Sequence, residues 1–188
     1  MICGLDEAGR GPLAGPVCAA AVVLSADFPL GLLGDSKKLS QAKREAARSV
    51  IMEAALGWGI GWASHVEIDE INILQASLLA MRRAYEAMLA AYPGLAALDL
   101  EAIVDGLHVP ALPVPCRALV RADAQIPEVM AASILAKTER DREMDRYAAL
   151  YPRYGYEKHR GYPTKAHREA ILRWGPSPIQ RLKFRVKG

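Results

Sequence analysis

The chain has 188 residues, 52% hydrophobic and 24% charged, with 24 Lys and Arg against 21 Asp and Glu for a net charge of +3. That balance excludes a disordered chain and a collagen-like repeat, and the length suits one domain. The longest apolar run, Val17 to Leu24, falls far short of the roughly 20 residues a membrane-spanning helix needs. The N-terminus has no basic leader and places Asp6-Glu7 where a signal peptide would be apolar. Cys3, Cys18 and Cys116 form no CxxC pair and leave one thiol over, which points to a reduced, cytoplasmic protein. Charge is unevenly spread. Residues 151–188 hold ten Lys and Arg against two Asp and Glu, a balance of +8, whereas residues 1–150 hold 14 against 19, a balance of −5. A basic C-terminal fifth on a mildly acidic body fits either a polyanion partner or a solvated tail.

In chain order, Met1 to Leu5 reads as a buried strand, and Gly9-Arg10-Gly11-Pro12 as a turn. Val17 to Leu24 reads as a second strand covered on both faces. Pro29 to Leu39 is a loop. Ser40 caps a helix to about Leu56, stopped by Gly57. Gly59 to Val66 alternates like a strand. Asp69 or Glu70 opens a long helix that ends before Pro93-Gly94. Ala102 to Asp105 and Val114 to Val120 are strands. Pro127 starts a helix to about Leu150. Tyr151 to Pro163 reads as loop, and Thr164 caps a last helix to Trp174, closed by Gly175-Pro176. The sum is an α/β chain with a mixed five-stranded sheet flanked by helices. The second strand follows the first too tightly for a parallel crossover, so the two are antiparallel. The core spans about residues 1–150 and a basic helical extension about residues 151–188.

Four carboxylates sit at strand ends: Asp6 and Glu7 close the first, Asp105 the fourth, and Asp123 follows the fifth. Open sheets gather their ligand groups there. Converging carboxylates stay ionised together only around a cation, and all-oxygen ligands suit Mg²⁺ or Mn²⁺. Adjacent strand residues face opposite ways, so Asp6 and Glu7 both reach such an ion only if the strand ends or bulges there. Taken singly, each carboxylate also fits a solvent-facing strand end. Gly9-Arg10-Gly11 offers backbone N–H groups and a guanidinium to a phosphate, but a GRG turn can be only a turn. Ser36 and Lys37, beside the Ser40 cap, can grip a phosphate or form an ordinary polar loop. Ser133 and Lys137 lie four apart on one helix face and present the same choice. Tyr162, with Arg160 beside it among other cations, can stack on a sugar or base, or simply pack at a helix entry. His159 and His167 have no third ligand nearby to make a zinc site.

These segments together resemble the ribonuclease HII family of type 2 ribonucleases H. The resemblance runs through Gly4-Leu5-Asp6-Glu7-Ala8-Gly9-Arg10-Gly11-Pro12-Leu13-Ala14-Gly15-Pro16-Val17 and Asp35-Ser36-Lys37-Lys38-Leu39. It continues through Val104-Asp105-Gly106, Ala132-Ser133-Ile134-Leu135-Ala136-Lys137, Gly161-Tyr162-Pro163-Thr164 with His167, and Gly175-Pro176-Ser177. It implies a ribonuclease H-like fold with a C-terminal helical extension. It also implies an endonuclease that cleaves the RNA strand of RNA–DNA hybrids and incises 5′ of single ribonucleotides in duplex DNA, leaving 3′-hydroxyl and 5′-phosphate ends. By match, Asp6, Glu7, Asp105 and Asp123 bind two metal ions. Gly9, Arg10 and Gly11 sense the 2′-hydroxyl with Tyr162, and Ser36, Lys37, Ser133 and Lys137 hold the backbone. Three positions depart from the family pattern: Arg121-Ala122 before Asp123, Pro163 after Tyr162, and Gln180 where histidine is common. A monomer is expected. Another metal nuclease of the same fold, and a non-catalytic hybrid-binding module, are the competing interpretations.

Overall fold

The structure, a computed structural model, describes residues 1–34, 36 and 39–185. Strands β1 (Ile2–Ala8), β2 (Val17–Val23), β3 (Gly57–Ala63), β4 (Glu101–Asp105) and β5 (Cys116–Leu119) form a mixed sheet in the order β3-β2-β1-β4-β5. β1 pairs antiparallel with β2, and β2 with β3; β1–β4 and β4–β5 are parallel. The helices are α1 (Gln41–Ala54), α2 (His65–Ala91), α3 (Pro127–Leu150), the single turn α4 (Tyr156–His159) and α5 (Lys165–Trp174).

The sheet is covered on both faces. Cys3, Leu5, Ala19, Ala21, Ala102 and Val104 pack against Ala76, Ala80, Ala84 and Met88 of α2. Ala20 and Val22, on the opposite face, pack against Ala47 and Ile51 of α1 and Ala131, Ala132 and Leu135 of α3. This double cover explains why β2 is apolar throughout: every one of its residues is buried. α2 approaches β3 closely because β3 carries glycines on that face. A Cβ on Gly61 would stand 2.1 Å from the Ala80 carbonyl oxygen, and one on Gly59 would stand 2.3 Å from that of Ala84.

Several elements differ from the sequence reading. α2 opens at His65, not at Asp69 or Glu70, because Ser64 ends β3 and caps the helix. The Ser64 hydroxyl accepts from the Glu67 N–H while the Glu67 carboxylate accepts from the Ser64 N–H. α2 is broken at Asn72, which takes φ 70° and ψ 164°; its side chain accepts from the Leu74 and Gln75 N–H groups and so caps the longer second part. Gly57 does not stop α1, which ends at Ala54; it opens β3 instead. The stretch expected as loop from Tyr151 to Pro163 contains a 3-10 turn at Pro152–Tyr154 and α4. All three cysteines are free, and burial pushes the Cys3 thiol up to about 12.

The C-terminal segment returns to the first turn of the chain. Ala14 bridges to Gln180, the Leu13 N–H donates to the Gly161 carbonyl at 2.8 Å, and the Gly15 N–H donates to that of Ile179 at 2.9 Å. Residues 9–16 are thereby clasped between β1 and the extension.

Candidate active site

β1 and β4 run parallel and side by side, with Leu5 opposite Val104, so their C-terminal ends carry Asp6 and Asp105 out at the same edge. The 3-10 turn Ala122–Ala124, which leads into α3, brings Asp123 to them. Carboxylate oxygens of Asp6, Asp105 and Asp123 all lie within 4.8 Å of one another. One Asp105 oxygen accepts from the Ala122 N–H at 2.8 Å, which ties the turn to the strand end. The left-handed residue at this turn is Arg121, with φ 58°, and Ala122 next to Asp123 is buried.

Asp6 is buried, and its carboxyl is held well above the usual carboxylate range. Desolvation is the main cause; the charges of Glu7 and Asp105 add to it, and hydrogen bonds from Ser133 and the Glu7 amide oppose it. Ser133 in turn meets Ser36 at 2.9 Å between hydroxyl oxygens, so a buried serine pair backs the carboxylate.

Glu7 is not in this group of three. β1 continues to Ala8 in regular register, with Asp6 opposite Ala20 and Glu7 opposite Ala19, and shows no bulge at the pair. The strand alternation therefore separates the two side chains. The Glu7 carboxylate accepts from the Arg10 guanidinium at 3.2 Å. Burial still raises its pKa; Arg10 opposes the rise and Asp105 adds to it, which places Glu7 at the border of the cluster.

Beside the carboxylates lies a cleft of about 540 Å³. It is lined by Glu7, Gly9, Arg10 and Gly11 from the end of β1 and the turn after it, by Ser36 and Arg44, by Ser133 and Lys137 of α3, and by Tyr162. A methyl placed on Gly11 would sit 3.5 Å from the Tyr162 ring, so the turn and the tyrosine are in contact range although 151 residues separate them in sequence. Lys137 is paired with Asp141 at 2.7 Å. Of the residues singled out from sequence, Lys37 lies outside the described residues. Arg160 is not among the residues that line the cleft; its guanidinium is paired with Asp145. Arg44 was missed; it stands four residues after the Ser40 cap and donates to the Ser36 carbonyl at 3.0 Å. Arg140 and Arg181 were also missed, and both are buried next to the Gly9–Pro16 turn. The spacing of Arg140 from Ala136 and Met144 places it on the buried face of α3, which was legible; the location of Arg181 was not.

A cluster of three carboxylates, one of them buried, beside a cleft lined by cationic side chains is the arrangement of a metal-dependent phosphodiesterase. The family model described as ribonuclease HII matches residues 3–187. The chain belongs to the ribonuclease HII family. It is 55% identical to the ribonuclease HII of Treponema denticola over all of this chain and 99% of that protein. It is 50% identical to that of Dechloromonas aromatica, over 98% of this chain and 90% of the other. Among solved structures, the ribonuclease HII of Archaeoglobus fulgidus, determined in complex with PCNA, superposes with a TM-score of 0.74 at 28% identity, covering 97% of this chain and 93% of that one. The chain is thus an endoribonuclease, and the interpretation as a non-catalytic binding module falls away. The match runs through both the first turn and the C-terminal extension that clasps it.

Proposed function

We propose that this ribonuclease HII hydrolyses the RNA strand of RNA–DNA hybrids and incises duplex DNA on the 5′ side of a single embedded ribonucleotide. The observation that carries this is the meeting of the Gly9-Arg10-Gly11 turn with Tyr162 beside the three carboxylates. A backbone turn and a phenol together can read a sugar hydroxyl. A site built to hydrogen-bond a hydroxyl rejects the substrate that lacks it.

Three hard oxygen donors within 4.8 Å, one of them buried and reluctant to ionise, fit Mg²⁺ or Mn²⁺. Asp6, Asp105 and Asp123 would hold the metal, with Glu7 at the border. Such ions supply charge neutralisation at the phosphate and acidify a bound water. The protein's own groups do the rest. The N–H groups of the turn and the Tyr162 hydroxyl hold the 2′-hydroxyl. Lys137, with Lys37 beside Ser36 in sequence, holds phosphates along the strand, while Ser36 and Ser133 back the Asp6 carboxyl. Arg10 and Arg44 add positive charge to the cleft wall. The oxygen of water bonds to phosphorus, the bond to the 3′-oxygen of the preceding nucleotide breaks, and that oxygen takes a proton. The products carry a 3′-hydroxyl and a 5′-phosphate. The chain acts as a monomeric single domain, with residues 151–188 as its extension. No helix among the described residues is long and apolar enough to cross a membrane.

The test is a duplex with one ribonucleotide, labelled at the 5′ end of that strand, incubated with Mg²⁺, Mn²⁺ or EDTA beside an all-DNA duplex. Metal-dependent incision 5′ to the ribonucleotide, with the DNA control intact, supports the assignment. Cleavage of the all-DNA duplex, or no cleavage by folded protein with either metal, overturns it.

A further inference from the structure

Arg181 is fully buried and makes no ion pair among the described residues. Its guanidinium instead donates to five backbone carbonyls of one turn. Nη2 reaches Gly9 at 2.7 Å and Pro16 at 3.2 Å, Nη1 reaches Pro12 at 2.8 Å and Arg10 at 3.1 Å, and Nε reaches Gly15 at 2.8 Å. Arg140 is almost as buried and behaves alike. Its Nε donates to Pro16 at 3.0 Å, Nη2 to Ala14 at 3.3 Å, and Nη1 to the Arg160 carbonyl at 3.1 Å. The Arg140 guanidinium also lies 6.0 Å from the centre of the Tyr162 ring. Gly9 is glycine for this reason: it takes φ +104°, and a Cβ there would stand 2.0 Å from Arg140 Nε.

Two guanidiniums without carboxylates are an expensive way to fill a core. What they do is orient peptide groups. In a planar trans peptide the C=O and the N–H point opposite ways. The Gly9 and Arg10 carbonyls point inward to Arg181, so the N–H groups of Arg10 and Gly11 point outward. Neither N–H has an acceptor among the described residues, and both residues line the cleft.

We propose that Arg181 and Arg140 are positioning residues for 2′-hydroxyl recognition. Arg181 turns the two free N–H groups of the Gly9-Arg10-Gly11 turn toward the substrate, and Arg140 holds the loop of Tyr162 at a set distance from that turn. This rests on the assignment of the turn and Tyr162 as the sugar-reading groups. The two arginines determine how well a ribose is told from its analogues, beyond their share in holding the fold.

The experiment compares wild type with Arg181→Lys and Arg140→Lys, which keep a positive charge and lose the fork. Each is given a duplex with one ribonucleotide and the same duplex with a 2′-fluoro nucleotide at that position, and melting is measured in parallel. Wild-type protein that does not cut at the ribonucleotide overturns the underlying functional assignment before any variant is compared. Given wild-type cleavage, the expected result is that the preference for hydroxyl over fluorine shrinks by about tenfold or more in both variants, a coupling within the range for groups in contact. Equal losses on both substrates, or none, overturn the proposal. So does a variant that cannot be obtained folded even in the cold, since that places the arginine in stability alone.

Discussion

Ser36 and Ser133 come from segments 97 residues apart and meet at 2.9 Å behind the buried carboxylate of Asp6. Ser133 donates to Asp6, so Ser36 is left to donate to Ser133. The pair links a cleft wall to the acidic cluster. Ser133→Ala deletes the donor to Asp6 and strands the Ser36 hydroxyl in a buried position. A hydrogen bond to a charged group is worth about 1.5–3 kcal/mol. The variant's kcat/KM on a ribonucleotide-containing duplex is expected to fall about 10- to 100-fold, with its circular dichroism spectrum unchanged. Activity within twofold of wild type would remove the serine pair from the site.

Asp6→Asn separates stability from activity. The amide oxygen still accepts from the Glu7 N–H, now held at 2.7 Å by the carboxylate, while a desolvated charge beside Glu7 and Asp105 disappears. Without divalent metal the variant is expected to melt about 2–4 °C higher than wild type, corresponding to roughly 1 kcal/mol in a chain of this size. Outer-shell partners of metal ligands are worth about 10- to 100-fold in activity, so loss of a direct ligand costs more than that. Calorimetry with and without Mg²⁺ checks both halves: the wild-type melting point rises with metal and that of the variant does not.

His159 and His167 form a stacked pair with ring centres 4.5 Å apart, buried under Tyr156. The His159 Nε2–H donates to the Tyr154 carbonyl, and its Nδ1 accepts from the Gly161 N–H. His167 Nδ1 donates to the Tyr162 carbonyl at 3.0 Å, and its Nε2 is buried with no hydrogen-bond partner among the described residues. Neither ring can take a second proton without losing a hydrogen bond or burying an unmatched charge. Burial accordingly lowers both pKa values below the ordinary 6.5, and for His159 the Tyr154 carbonyl and Glu157 only partly offset this. Below pH 6.5 the unfolded chain binds protons that the folded chain refuses, so stability declines as pH falls from about 6.5 toward the lowered folded values. The melting temperature is expected to drop between pH 7 and pH 5. His167→Asn, whose amide can still donate to Tyr162, is expected to flatten that slope. An unchanged slope would contradict the account.

Gly61→Ala tests the contact between β3 and α2. The new Cβ would press on the backbone of α2 at 2.1 Å from the Ala80 carbonyl oxygen and 2.3 Å from the Ala84 nitrogen, where no side chain can rotate away. Overpacking of this kind costs about 1–3 kcal/mol and more when backbone must shift. Urea unfolding is expected to show a loss at or above the upper end of that range. A variant as stable as wild type would mean that α2 slides freely on the sheet.

Much of this molecule was legible in its residues. Val17 to Val23 could only be a strand covered on both faces, because it offers no polar side chain to water. Pro127 and Leu150 bound α3 as read, and Thr164 and Gly175 bound α5, because proline, hydroxyl caps and glycine act through the local backbone. Asn72 lies inside the helix expected from the apolar spacing and is instead a cap, with φ 70° and its side chain accepting from the Leu74 and Gln75 N–H groups, because the apolar period runs through the break unchanged. The four acidic positions were also evident from the strand ends. That Asp6, Asp105 and Asp123 converge while Glu7 pairs with Arg10 was decided by the regular register of β1 against β2, which alternation carries through to Ala8. The sequence by itself thus determined the five strands, the helices opened by Ser40, Pro127 and Thr164, and the four acidic positions with chemistry to offer. Only the tertiary structure decided which of them meet, because contacts such as that of Arg181 with Gly9 join segments 172 residues apart, and no local pattern encodes a hydrogen bond to a backbone carbonyl.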